Sequence, residues 1–152
     1  MTVSGSTTGQ GAALQHLEQE LGVLIRRARR VIRQRAHAVH PDLQPAAYLM
    51  LAYIRDNGPL RASTMCEVFD IDKGAVSRQV QHLLDLGLVE RAADPDDGRA
   101  TLVSISDDGV RRLGEVTTQR RAWLADRLGD WSADELEGFA ATLGRYNEAL
   151  GG

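Results

Sequence analysis

Two short helical patterns meet across three residues, Asp70-Ile71-Asp72, and no other stretch of the sequence limits the fold as tightly. Before the turn, Ala62, Met65, Cys66 and Phe69 recur at i, i+3, i+4 and i+7, which predicts one buried stripe on a helix over about 61 to 69. After the turn, Asp72 is a good N-cap for a helix from 73 to about 86, and Gly87 suits the left-handed residue that closes it. Val76, Val80, Leu83 and Leu84 fall on one side of that helix and define its inward face. Two helices joined by so tight a turn form a helix-turn-helix unit.

The period then changes. "LVERAA" and "ATLVSI" are strand-like runs on either side of the turn-forming "DPDDGR", which predicts a β-hairpin. A helix-turn-helix followed directly by a hairpin is the order of a winged helix. Before this unit, Leu14, Leu17, Leu21, Leu24, Ile25, Ala28, Val31 and Ile32 mark a long amphipathic helix from about 12 to 39, ended by Pro41. It would span about 40 Å at 1.5 Å per residue. A small domain needs less than that, so part of this helix is expected to pack against another chain. Pro45 suits the first turn of a helix over about 45 to 56, with Ala47, Leu51 and Ile54 inward, and Asn57-Gly58-Pro59 stops it. Ser106 is expected to cap a fifth helix, about 107 to 129, with Val110, Leu113, Val116, Leu124 and Leu128 on one face. Ser132 and Glu135 form a capping box for a sixth, whose stripe is Leu136, Phe139, Ala140, Leu143, Tyr146 and Leu150. The predicted fold class is mainly α with a small β-wing.

At 152 residues the chain fits one domain, or one domain plus an oligomerisation extension. A single cysteine, Cys66, excludes an internal disulfide framework, and its place on the apolar stripe makes it a core residue rather than a redox sensor. No segment approaches the roughly 20 apolar residues of a membrane span. The N-terminus has neither the basic nor the apolar part of a signal peptide. A cytoplasmic location with no membrane partner is therefore expected, with residues 1 to about 11 as a flexible tail. The net charge of −3 gives no global sign of nucleic-acid binding. Six arginines between Leu21 and Pro41, with no acid among them, are read as a solvated helix face.

"DNGPLRASTMCEVFDIDKGAVSRQVQHLLDLGLVERAADPDDGRATLVSISDDG" resembles the core of the MarR family, the multiple-antibiotic-resistance type regulators of bacteria. The resemblance is carried by the Gly-Pro before the third helix, the Asp72-Lys73 start and Ser77-Arg78 pair of the fourth, "GLVER", and the wing "DPDDGRA". Their order and spacing are more specific than any one of them. The resemblance implies a homodimer whose first, fifth and sixth helices interlock, so that 12–40 and 107–150 form the dimerisation region and 43–106 the DNA-binding lobe. It further implies a transcriptional regulator, usually a repressor, that reads an inverted repeat in double-stranded DNA and is often released by a small aromatic or lipophilic effector.

On the outward face of the fourth helix stand Gly74, Ala75, Arg78, Gln81 and His82, with Ser77 on the flank, a profile slim enough at its N-terminal end to enter a major groove. Arg78 can offer a bidentate fork to a guanine edge, worth about 1 to 3 kcal/mol of discrimination. Lys73, Ser77 and the helix N-terminus suit phosphate oxygens. Gln81 and His82 reach either base edges or backbone, or remain solvated surface residues, and Ser63 of the third helix completes the candidate set with the wing residues Asp97 and Arg99. Arg99 is expected to enter a minor groove, held beforehand by Asp97 as in the Asp-x-Arg wing of the resembling family. Asp94-Pro95 is read as a turn initiator, and Asp96 has no assigned role.

His16 and His37 lie far apart on the first predicted helix, His40 follows it and His82 is on the fourth, and no phosphate loop, nucleophile elbow or metal-ligand spacing is present, so neither an enzyme nor a cofactor or metal is expected. "DPDDGRATLVSI" fails as a calcium loop because Gly98 and Ile105 stand where carboxylates are needed. The rival from another class is a winged helix used only for protein contacts, which would lack the steep salt dependence of phosphate binding. Tyr48, Tyr53 and His37 are the residues considered for an effector site, each with packing as the simpler role.

Overall fold

The structure is a computed structural model that describes residues 4–151, with side chains from Gly9 onward. Among these residues the order is α1 (Ser4–Val39), α2 (Pro45–Asn57), β1 (Leu60–Arg61), α3 (Ala62–Phe69), α4 (Lys73–Asp85), β2 (Val89–Asp94), β3 (Asp97–Ile105), α5 (Asp107–Arg127) and α6 (Ala133–Leu150). The chain divides into two units, one ending at Leu113 and one beginning at Gly114.

Local chemistry fixes the helix-turn-helix. Asp70 takes the left-handed conformation at φ 49° and ends α3, with the Ile71 N–H donating to the Cys66 carbonyl at 3.2 Å. An Asp tolerates this region better than most residues because its short polar side chain bonds locally. Two residues later the Asp72 carboxylate accepts the Ala75 N–H at 2.7 Å and caps α4. Gly87, at φ +72°, closes α4 in a Schellman motif. Its N–H donates to the Leu84 carbonyl, and the Leu88 N–H to the Leu83 carbonyl, both at 3.0 Å.

Ser106 then secures the base of the hairpin. Its backbone N–H donates to the Leu88 carbonyl at 3.0 Å, its hydroxyl donates to the Gly87 carbonyl at 2.7 Å, and the same oxygen accepts the Gly109 N–H at 3.1 Å as the cap of α5. A Cβ on Gly109 would collide with the Leu88 carbonyl, so only glycine lets α5 start this close to the strand. The sheet order is β1-β3-β2, all antiparallel, with Leu102 facing both Arg61 of β1 and Ala92 of β2.

The core of the first unit is built from Ala47, Met50, Leu51 and Ile54 of α2, Met65 of α3, Val76, Val80 and Leu83 of α4, and Leu88, Val89 and Val103 of the wing. Each such burial contributes roughly 1.5 to 3 kcal/mol for a side chain of Val, Leu, Ile or Met size. Asp108, in the first turn of α5, accepts from Arg111 at 2.7 Å and Arg112 at 2.9 Å. Arg112 also donates to the Val39 carbonyl at 3.1 Å, which joins α5 to the end of α1.

The predicted elements recur with three differences. Helix α1 starts at Ser4 rather than near 12, so eight residues of the expected tail are helical; residues 1–3 lie outside the described residues. Extending an existing helix adds a hydrogen bond per residue with no new nucleation, which this apolar-poor segment does not advertise in its pattern. Strand β1 was not predicted, because two residues carry no alternation. Cys66 is half-buried, as are Ala62 and Phe69, and only Met65 of the α3 stripe is fully buried. An eight-residue helix seals its centre and leaves the edges of its stripe partly open.

In the second unit Ser132 and Glu135 form the expected capping box, with bonds of 3.1 and 2.8 Å. The stripe of α6 is not covered: Leu136, Phe139, Leu143 and Leu150 are exposed. In the first unit Leu14, Leu17, Leu24 and Ile25 of α1 are exposed as well. Among the described residues no helix is long and apolar enough to cross a membrane.

Candidate nucleic-acid interface

The candidate residues fall in two places. Lys73, Gly74, Ala75, Ser77 and Arg78 occupy the first half of α4, with Ser63 in the first turn of α3, and Asp97 and Arg99 begin β3 at the hairpin tip. Lys73, Gly74, Ser77, Arg78 and Gln81 are exposed, as are Ser63, Asp97 and Arg99, while Ala75 is half-buried. Asp72 uses one carboxylate oxygen on Ala75 N–H, so the remaining free N–H groups and the positive end of the helix dipole stay open at the N-terminus of α4.

Arg78 makes no hydrogen bond or ion pair among the described residues, and its Nη1 lies 3.4 Å from the point that a Cβ on Gly74 would occupy. The missing side chain at position 74 leaves the guanidinium room to lie back along the helix toward its N-terminus. That places a planar five-donor cation at the slim end of α4.

Two expected residues behave differently. Gln81 is exposed, but its Nε2 donates to the Asp85 carboxylate at 2.8 Å, one turn on. His82, expected to point outward, is half-buried, and its Nε2 is buried with no partner among the described residues. Position 82 sits beside the inward face, where burial reaches around the helix. His82 therefore offers no Nε2 to a groove in this arrangement.

At the hairpin tip the acids divide into distinct roles. Asp97 accepts the backbone N–H of Arg99 at 3.1 Å and forms no ion pair with its guanidinium, which corrects the expected pre-aiming by side-chain contact. A short Asp side chain two residues away reaches the backbone first, making an Asx-turn. Asp94 is the expected turn initiator: its Oδ1 accepts the Asp96 N–H at 2.9 Å, which also gives Asp96 a place through its backbone. Asp94 has a second partner that the sequence did not suggest. Its Oδ2 takes the Arg61 Nε at 2.6 Å and is ion-paired with the Arg61 Nη2. The Asp96 N–H and the Arg61 guanidinium hold the Asp94 carboxyl below its ordinary value, against the opposing effect of burial.

One acid therefore builds the turn and another orders the Arg99 backbone, and Arg99 keeps its guanidinium in solvent. Arg91 of β2 is a further exposed cation of the lobe, outside the residues expected from the sequence. Of the residues considered for an effector, Tyr48 is buried, Tyr53 stands edge-on to Phe69 with centroids 5.6 Å apart, and His37 is exposed.

A family model for the MarR family matches residues 42–100, the span from just before α2 to the wing. Over 134 residues the chain is 33% identical to the uncharacterized HTH-type transcriptional regulator YxaD of Bacillus subtilis, covering 88% of this chain and 92% of that protein. The chain belongs to the MarR family. It is thus a helix-turn-helix transcriptional regulator by family, not an enzyme, and its mainly helical winged-helix fold is the one expected from the sequence. A further relative, the HTH-type transcriptional repressor NicR of Pseudomonas putida, is 24% identical over 139 residues, 88% of each chain. A mutant of Escherichia coli MarR, solved as a complex with operator DNA, shares the fold with a TM-score of 0.61 at 23% identity, covering 84% of this chain and 93% of that one.

Proposed function

We propose that this MarR-family protein binds double-stranded DNA in a sequence-specific manner as a homodimer on an inverted repeat, and acts in the cytoplasm as a repressor released by a small aromatic or lipophilic effector. The observation that carries the DNA reading is the Arg78 guanidinium, unpaired among the described residues at the exposed N-terminal half of α4. Arg78 reads a guanine edge, Lys73 and Ser77 with the free N–H groups of the helix start hold phosphates, and Arg99 enters the adjacent minor groove. Gly74 and Ala75 keep the approach slim, and Ser63 adds a phosphate contact from α3. The complex of Escherichia coli MarR with operator DNA supports this use of the fold.

Exposed apolar residues recurring along α1 and along α6 support self-association, since contiguous apolar faces are commonly covered by a partner. The name of NicR supports repression as the direction of control. The reading is tested by fluorescence anisotropy on a panel of genomic fragments at several salt concentrations. Selective binding that weakens steeply with salt supports it, and salt-insensitive or absent binding refutes it.

A further inference from the structure

We infer that Arg61 and Asp94 are a positioning pair that aims the wing, making β1 and the start of α3 carry the hairpin tip as one piece onto DNA. The inference rests on the DNA-binding reading above and deepens it. Backbone pairing of β2 with β3 is regular up to Ala93, and the register shifts between Ala93 and Asp94. Beyond that irregularity the ladder no longer dictates where the tip points. Asp94 sits at this break, and its two oxygens face two ways: Oδ1 holds the Asp96 N–H of the tip, and Oδ2 holds Arg61. Arg61 is both the last residue of β1 and the N-cap position of α3, so its backbone belongs to the helix-turn-helix unit.

The side chain of Asp94 is 5% exposed and that of Arg61 43%. Losing Arg61 would leave a nearly buried carboxylate without its cation, close to a tip that must approach phosphates. Arginine suits the role because Nε and Nη2 fork onto one carboxylate oxygen and fix direction as well as charge, where a lysine would supply a single donor. Arg99, whose own guanidinium has no protein partner among the described residues, would receive its aim through this pair.

The test measures DNA affinity of the full chain by anisotropy for wild type, Arg61→Gln, Arg61→Lys and Asp94→Asn, each with and without Arg99→Ala, with melting temperatures recorded alongside. Asp94→Asn keeps an acceptor for the Asp96 N–H, removes the charge and turns the oxygen that faces Arg61 into an NH2 donor, so the pair is broken from the acid side. The expected result, at a temperature where every variant is folded, is roughly 5-fold weaker binding for Arg61→Gln and for Asp94→Asn, partial recovery in Arg61→Lys, and a smaller penalty for Arg99→Ala in the pair-broken backgrounds than in wild type. Folded variants that bind like wild type, or an Arg99→Ala penalty identical in every background, would show a stability clamp and overturn the inference. A wild type that binds no fragment removes the DNA reading itself and this inference with it.

Discussion

The Arg78 guanidinium rests over Gly74, its Nη1 3.4 Å from where a Cβ would sit. A side chain at position 74 would also approach the Asp72 carboxylate to 3.2 Å, crowding the cap and the cation together. Gly74→Ala gains helix propensity, by up to about 1 kcal/mol in a helix interior and less in a first turn. Its melting temperature is therefore expected to stay level or rise while sequence-selective binding weakens, and Gly74→Val should weaken binding further. Parallel melting and anisotropy measurements check this, and unchanged DNA affinity in the valine variant would contradict it.

Ser106→Ala removes a helix cap and the donor to the Gly87 carbonyl in one step. A lost cap costs about 0.5 to 2 kcal/mol, and loss of the part-buried bond to the Gly87 carbonyl adds about 0.5 to 1.5 kcal/mol. Urea denaturation should show a loss of about 2 kcal/mol, and a loss under 0.5 kcal/mol would mean the wing base is held by other contacts.

Gly109→Ala places a methyl group against the Leu88 carbonyl and the Ile105 side chain. Relief requires α5 to move away from the strand, an overpacking cost of about 1 to 3 kcal/mol. Gly98→Ala, which meets open space at the hairpin tip, is the control expected to lie within about 0.5 kcal/mol of wild type.

Asp94 and Asp108 both have carboxyl groups held below the ordinary value of 3.8, Asp94 mainly by the Asp96 N–H and Arg61, and Asp108 mainly by Arg111 and Arg112. A depressed folded-state value means stability that is fully present above the unfolded-state value and lost as pH falls through the folded-state value. Acid titration of stability should therefore show a decline beginning below about pH 4, and Asp94→Asn should be less stable at neutral pH with a shallower acid decline. An acid decline identical to wild type in that variant would contradict the assignment.

On α6, Phe139 is 56% exposed and Leu150 67% exposed. If these residues cover a second copy, Phe139→Asp shifts sedimentation at micromolar concentration toward the monomer, whereas a wild type that sediments as a monomer removes the homodimer reading.

What the sequence made legible was local. Asp72, Gly87, Ser106 and the Ser132-Glu135 pair act on backbone groups within a few residues, so their spacing alone announces caps and stops. Apolar periodicity likewise located the buried sides of α2 and α4. The remainder depended on contacts that sequence distance hides. Arg61 and Asp94 meet across 33 positions, Ser106 reaches back 19 residues to Gly87, and β1 exists only because β3 offers it an edge. His82 was misread because a position beside the inward face is exposed or buried according to what packs there. Asp97 was misread because its competing partner was the Arg99 backbone rather than the Arg99 side chain.

The most direct measurement is anisotropy titration of wild type, Arg78→Ala and Arg99→Ala against a selective and a non-selective DNA fragment across a range of salt concentrations. Arg78→Ala is expected to lose about 1 to 3 kcal/mol of preference between the fragments, whereas Arg99→Ala is expected to weaken binding and lower the salt slope by about one. Wild-type affinity, selectivity and salt slope in both variants would contradict this expectation.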